Sequence, residues 1–279
     1  MPVLLRDTAA RIERCVTFGH TGLVELLGAQ NDNRLGAEVR AFTDDVVGTR
    51  VVAERGLQWL QHVTGLSPHT TTLVPEILQW YAEHDLAPRF ELAPHRPFEE
   101  LAAALAAEGF AQTEFINLLW ALTGRVRADL EDLTHVLVIH VEPGSGDADE
   151  FARVLLAGHE VEDASAEHHA ALAAMAGVEG RSCYLATIDA VPVGAAILTV
   201  LDGVGYLTNA STLPDHRQQG AQQALIAHRV ADAEAAGCDV LAGLANPFLS
   251  SHRNMERAGL SVAYTKVSWT RVRPEQPTS

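Results

Sequence analysis

The chain has 279 residues, 47% hydrophobic and 20% charged, which is enough apolar material for one large folded domain or two of ordinary size. A formal net charge of −16 excludes a nucleic-acid binder built on clustered lysine and arginine. No apolar run approaches the roughly 20 residues of a membrane span. The start, Met1-Pro2-Val3-Leu4-Leu5-Arg6-Asp7, is charged too early for a signal peptide.

Residues 1–50 read as mostly helical, over Ala9 to Leu27 and again over Asn31 to Asp45. Short strands are expected at Val51 to Glu54 and Trp59 to Val63. Leu73 to His84 has Val74, Ile77, Leu78 and Tyr81 on one helical face. Pro88 to Leu92 reads as a strand. Pro97 to Glu108 reads as a helix opened by a proline at a favoured first position, with Gly109 ending it. Gln112 to Leu122 alternates as a strand, and Arg125 to Leu133 is charged enough to be a linker.

The order then repeats. Val136 to Val141 alternates as a strand. Asp147 to Ala157 and Ser165 to Ala176 read as helices, the second capped by Ser165. Ser182 to Asp189 and Val193 to Leu201 are strands joined through Ala190-Val191-Pro192. Gly205 to Thr212 is a strand closed by Pro214-Asp215. Ala221 to Ala236 is a helix stopped by Gly237, Cys238 to Leu244 a buried strand, Ser250 to Gly259 a helix and its stop, and Val262 to Val272 the closing strand. Gly109 and Gly259 stand 150 residues apart, as do Arg89 and Asp239 at the heads of two short strands; Trp120 and Trp269 stand 149 apart. A shared register through strand, helix, glycine and tryptophan strand predicts an internal duplication.

The stretch with the most chemistry is Arg217-Gln218-Gln219-Gly220-Ala221-Gln222-Gln223, between a strand and a helix. The first N–H groups of a helix lack internal partners and carry the positive end of its dipole, so such a turn holds phosphate. A glycine there lets the backbone approach the oxygens, and Arg217 adds a cation. This run, together with Ser250-Ser251-His252-Arg253-Asn254-Met255-Glu256-Arg257-Ala258-Gly259-Leu260 at the expected distance, resembles the GNAT N-acetyltransferases. The family's loop pattern is Arg/Gln-x-x-Gly-x-Gly/Ala. Arg217 and Gly220 match it, whereas Gln222 stands where Gly or Ala is usual and Leu260 where Phe is.

The resemblance spans roughly residues 134–273. It implies an α+β fold of two GNAT-like domains, each a mixed, mostly antiparallel sheet flanked by helices. Residues 1–130 would form a degenerate amino-terminal copy and 131–279 the copy that binds acetyl-CoA as co-substrate. It further implies that Gln218, Gln219, Gly220, Ala221, Gln222 and Gln223 hold the pyrophosphate beside Arg217. Main-chain groups of Ala210, Ser211 and Thr212 would bond the pantetheine arm, with Ser251 and Asn254 on the last helix beside it; Ser251 reads equally as that helix's cap. The first copy, with Gly65-Leu66-Ser67-Pro68 before its helix, has no such loop, so it is expected to wall in the acceptor pocket.

The family often places an acidic tyrosine four residues before the terminal glycine; here that residue is Met255, which has no proton to give. Tyr264 is the candidate in its place, against the reading of a sheet-face tyrosine. Asn209 is expected to orient the acceptor. The implied reaction moves an acetyl group to a small, cationic amine. Two alternatives stay open: a non-catalytic acyl-CoA sensor, favoured by Met255 and Gln222, and a protein N-terminal or lysine acetyltransferase. The expected partners are a small-molecule amine and a second copy in a homodimer, with no nucleic acid and no membrane. Cys15, Cys183 and Cys238 lie far apart with no Cys-x-x-Cys, which suits a cytoplasmic protein without disulfides. No metal is expected, since His159-Glu160 begins a His-Glu-x-x-His pattern that fails at Asp163, and His168-His169 are adjacent and diverge.

Overall fold

A computed structural model describes residues 4–94, 99–126 and 133–272. Pro97, most of the linker and the tail from 274 lie outside them. The described elements are α1 (Arg6–Gly28), β1 (Ala37–Ala41), β2 (Val47–Val51), β3 (His62–Thr64), α2 (Val74–Ala82), β4 (Arg89–Leu92), α3 (Glu99–Ala107) and β5 (Phe110–Leu122). They continue with β6 (Val136–His140), α4 (Gly146–Gly158), α5 (Ala166–Ala174), β7 (Arg181–Ile188), β8 (Val191–Leu201), β9 (Val204–Thr212), α6 (Ala221–Ala235), β10 (Val240–Ala245), α7 (Ser250–Arg257) and β11 (Ser261–Arg271).

The strands form one 11-stranded sheet in the order β1-β2-β3-β4-β11-β5-β10-β9-β8-β7-β6. The expected α+β class with mostly antiparallel pairing is what the chain adopts; among the described residues only β3/β4 and β9/β10 run parallel. Those two pairs occupy equivalent places in the two halves, so the duplication inferred from the 150-residue offset reappears as topology. The sheet also joins the halves. β5, from the first half, pairs with β10, while β11, at the chain's end, pairs with β4 as well as β5. The two last strands are thus exchanged across the middle.

Alternation explains which face each helix covers. Cys183, Leu185, Ala195 and Ile197 point into a cluster with Leu23 and Leu27 of α1, Phe151 and Leu155 of α4 and Leu172 of α5. Their neighbours Tyr184, Ala186, Ala196 and Leu198 point the other way, onto Ala221 and Leu225 of α6 and Met255 of α7. Ser165 caps α5 as expected, accepting from the N–H of His168 at 3.1 Å. The hairpin β7–β8 turns through Asp189 and Ala190, both at positive φ.

The first fifty residues need correction. Instead of a helix over Asn31 to Asp45 there is a short turn with Asn31, Asp32 and Asn33 all left-handed, then strand β1. Asn and Asp tolerate that conformation, and Asn33 clasps Ala37 from both sides, accepting from its N–H at 2.8 Å and donating to its carbonyl at 3.1 Å. Leu35, Ala37 and Val39 are a period-two run that packs beneath α1. The strand expected at Val51 to Glu54 lies earlier, ending at Val51, and Trp59 closes a 3-10 turn before β3.

Candidate active site

β9 and β10 pair at only three positions, Val204 with Val240, Gly205 with Leu241 and Tyr206 with Ala242. Beyond these both strands continue but separate. β10 stays on β5 as far as Ala245 opposite Asn117, and β9 stays on β8. A bulge drives the split: Asn209 and Ala210 together oppose Ala196, and Asn209 has φ +41°. At the fork a Cβ on Gly243 would come within 2.7 Å of the Met255 sulfur, so any larger residue there would have to push the Met255 side chain aside. The facing edges of Leu207–Thr212 and Gly243–Ala245 are therefore left unpaired with each other, and their main-chain groups are free to bond an extended ligand as an added strand would.

Two side chains brace the bulge, one toward each face of the sheet. Buried Ser211 donates from Oγ to the carbonyl of Leu155 in α4 at 3.1 Å. Arg229 of α6 is fully buried and donates from Nη1 to the carbonyls of Ile197 at 3.2 Å and Thr208 at 3.3 Å, the last pair before the bulge. Burial lowers its pKa to about 10, so it stays charged at neutral pH.

The turn into α6 follows. Gln218 and Gly220 have φ +65° and +86°, and Gly220 is the residue preceding the helix. Among the described residues the N–H groups of Gln218, Gln219 and Gly220 donate to no backbone carbonyl, and the first N–H groups of α6, from Ala221, Gln222 and Gln223, have no intrahelical partner. Backbone amides without backbone acceptors at the head of a helix are the kind of group that holds an anion. Arg217, exposed beside it, pairs with Glu160 at 2.7 Å. The glycine has a second reason as well: a Cβ on Gly220 would meet the Leu133 side chain at 2.4 Å. Leu133 and His135, whose Nε2 meets the Gln219 carbonyl at 3.0 Å, lie along one side of the turn and leave Arg217, Gln218 and Gln219 exposed.

Ser251 and Asn254 stand half-buried on α7, directly after β10. Ser251 is not the cap, which falls on Leu249 with no side-chain bond. Tyr264 is not brought to this cleft. It stands on β11, two strands from β10, and its hydroxyl donates to Glu13 of α1. Burial, then the Glu13 carboxylate, push its pKa far above that of an ordinary phenol, so it is a poor proton donor.

A cavity of about 330 Å³ opens beside the bulge, lined by Asn209, His159, His168, Trp59, Leu23 and aliphatic side chains of α4 and α5. Asn209 was expected here; the two histidines were not. Burial, with a smaller contribution from Arg217, lowers the pKa of His159, and burial chiefly lowers that of His168. Both rings are neutral near pH 7. The one sequence signal at His159 was its failed metal pattern, which says nothing of a cleft. The three cysteines are free and buried.

Residues 149–260 match the sequence model of the Acetyltransferase (GNAT) family. No curated protein matches the chain. Among solved structures it resembles a GCN5-related N-acetyltransferase from Kribbella flavida, with TM-score 0.65 and 19% identity over 95% of this chain and 96% of the other. A GCN5-related N-acetyltransferase from Sphaerobacter thermophilus matches with TM-score 0.55 and 13% identity over 98% and 95%. A tandem GNAT protein from the clavulanic acid biosynthesis pathway matches with TM-score 0.54 and 12% identity over 94% and 98%. At these identities the likeness is one of fold, and it extends over both halves.

Proposed function

On the premise that residues 149–260 are a domain of the acetyltransferase (GNAT) family, we propose that the chain moves the acetyl group of acetyl-CoA to the amine of a small acceptor by direct attack in a ternary complex. The observation that carries this reading is the convergence, at one end of the sheet, of an unpaired strand opening, helix-head amides without backbone acceptors and a cavity with neutral histidines. The amides of Gln218 to Gln223 take the pyrophosphate with Arg217 alongside. The pantetheine arm lies between β9 and β10, bonded by the main chain of Ala210, Ser211 and Thr212, with Ser251 and Asn254 at its flank.

The acceptor occupies the cavity. An alkylammonium, pKa about 10.4, must lose a proton before it attacks. His159 is the base: its neutral ring takes that proton, and Asn209 holds the amine. Nitrogen then bonds to the thioester carbon, the C–S bond breaks, CoA leaves as thiolate, and the second proton of the new amide nitrogen passes through water to the thiolate or to solvent. No acid is needed for a thiol of pKa about 8.5, which fits the buried thioether of Met255 at the fork. Among the described residues the lining contains no carboxylate, so it supports a single amine on an apolar body over an acceptor with further cationic groups. Leu23 and Trp59 come from the first 130 residues, which supports the division into a cofactor-binding copy, 131–279, and a copy that walls the pocket. A wall of this kind favours a small acceptor over a protein tail. Buried free thiols suit work in the cytoplasm.

The test is thiol release from acetyl-CoA over a panel of primary amines, with wild type and Arg217→Glu. Arylalkyl and alkyl amines should turn over faster than polyamines and aminosugars. The variant should raise KM for acetyl-CoA about 10- to 100-fold, the worth of charge-assisted phosphate bonds. An unchanged KM would overturn the loop assignment. A preference for polyamines would overturn the acceptor class. Tight acetyl-CoA binding with no turnover on any amine would favour the sensor.

A further inference from the structure

We propose that His20, His62 and Glu91 form a binding site for a divalent transition metal of the zinc class in the amino-terminal half. They come from α1, β3 and β4, and their candidate ligand atoms lie within 4.8 Å of one another. Metal–ligand bonds of about 2.0–2.2 Å place donor atoms roughly 3.3–4.2 Å apart, so closing the site asks for side-chain movements below about 1 Å. Two imidazoles and one carboxylate are a donor set for zinc, iron(II) or cobalt, not for calcium or magnesium.

The hydrogen bonds support the assignment. His62 Nε2 meets the carbonyl of Trp59. A carbonyl only accepts, so Nε2 carries the proton and Nδ1 presents a lone pair. That lone pair faces Glu91 Oε1 at 2.9 Å. His20 Nδ1, His62 Nδ1 and Glu91 Oε2 are all buried, and among the described residues none has a hydrogen bond. A second proton on His62 would satisfy its contact with Glu91 and leave His20 Nδ1 unpartnered. A cation between the three satisfies all of them, and the Nε2–H to carbonyl bond is the outer support that metal-bound histidines ordinarily have.

Charge and access agree. Lys266 lies 3.6 Å from Glu91 and is shared with Glu13 at 2.9 Å; Arg89 lies 3.9 Å from Glu91 and is shared with Glu114. Three carboxylates against two cations leave a negative charge for an incoming ion. Of the three, Glu91 also lines a second cavity of about 330 Å³, whose wall carries Glu13, Glu25, Asp44 and Asp45 beside the cation Arg14. An acid-lined mouth concentrates cations. Sequence reasoning expects no metal because it looks for neighbouring ligands, and these stand at positions 20, 62 and 91. The ion would staple α1 to the β3–β4 pair, in the half that has no phosphate loop.

The test uses full-length protein stripped with chelator and titrated with Zn²⁺ and Co²⁺, each alone. Wild type should bind one ion per chain. Bound Co²⁺ should show visible d–d bands of a nitrogen- and oxygen-ligated, low-coordinate site. Saturation with Zn²⁺ should raise Tm by about 5 °C. His20→Ala and Glu91→Gln, each checked for native far-UV dichroism, should weaken binding at least 10-fold and remove the bands; His62→Asn is the further variant should either misfold. Wild type without a stoichiometric high-affinity site overturns the proposal and leaves a His62–Glu91 ion pair. Binding that survives in both correctly folded variants overturns it too, by assigning the ion to other histidines.

Discussion

His159 shows what one residue owes to its surroundings. It follows the last turn of α4 and lines the cavity by the bulge; its ring is exposed by surface area, and the partial enclosure of the ring with the Arg217 charge beside it lowers its pKa. If it is the base, the acid limb of kcat/KM for the amine reports its protonation. Its pKa is lowered from 6.5, and the active form is the neutral one, so activity should hold from neutral pH downward and fall only below 6.5. His159→Gln should lower kcat about 100-fold, remove that limb, and leave KM for acetyl-CoA within twofold; steady-state pH profiles of both proteins check this. A retained limb would move the role to His168. None of this was legible in the sequence, because the cavity joins residues from α1, α4, α5 and β9. Gly220 was legible as a glycine that opens the turn before a helix, since that follows from local backbone chemistry; its left-handed φ is seen only in the fold. Its contact with Leu133 was not legible, being a tertiary neighbour. Nor was the commitment of Tyr264 to Glu13, which lies 251 positions away.

Among the elements, the bulge in β9 matters most, since it turns a parallel pair into a fork. Its hold on the sheet runs through Arg229, a charged residue inside a helix face that otherwise reads as apolar. Arg229→Leu would remove the donor to the Ile197 and Thr208 carbonyls and leave two buried acceptors. The cost should be about 2 kcal/mol net of the desolvation that leucine avoids, or a Tm lowered by about 5 °C. KM for acetyl-CoA should rise with little change in kcat at saturation. Calorimetry and kinetics on one preparation test both parts; a lower Tm with unchanged KM would show that the bulge stands without the arginine. The long elements α1, α6, β5 and β11 could be read because each is long enough to show its propensity and its stops, Gly237 after α6 among them. Residues 31–45 could not. Their short strand buries only alternate residues against α1, and mixed spacing of that length fits a helix equally well.

For the whole molecule, the offset of 150 residues predicts two copies, yet it says nothing of which copy each strand joins. Alternation specifies the face a side chain occupies and is silent on the strand beside it. The exchange of β5 and β11 therefore emerges only in three dimensions, and it has a consequence for how the chain can be divided. Cut near residue 130, the second half would present β10 without β5, and the first would present β4 without β11, each an open edge ready to pair. Either half expressed alone should aggregate or self-associate. Co-expressed, the two should associate one to one and regain thiol release from acetyl-CoA, because β5 and β11 bond to each other along nearly their whole length, from Phe110 opposite Arg271 to Trp120 opposite Ser261. Co-purification from a single affinity tag, followed by size-exclusion chromatography, measures this directly. A soluble, monomeric second half that binds acetyl-CoA on its own would mean that β11 folds back onto β10 in the place of β5, and that the exchange is a product of the linkage rather than a requirement of the fold.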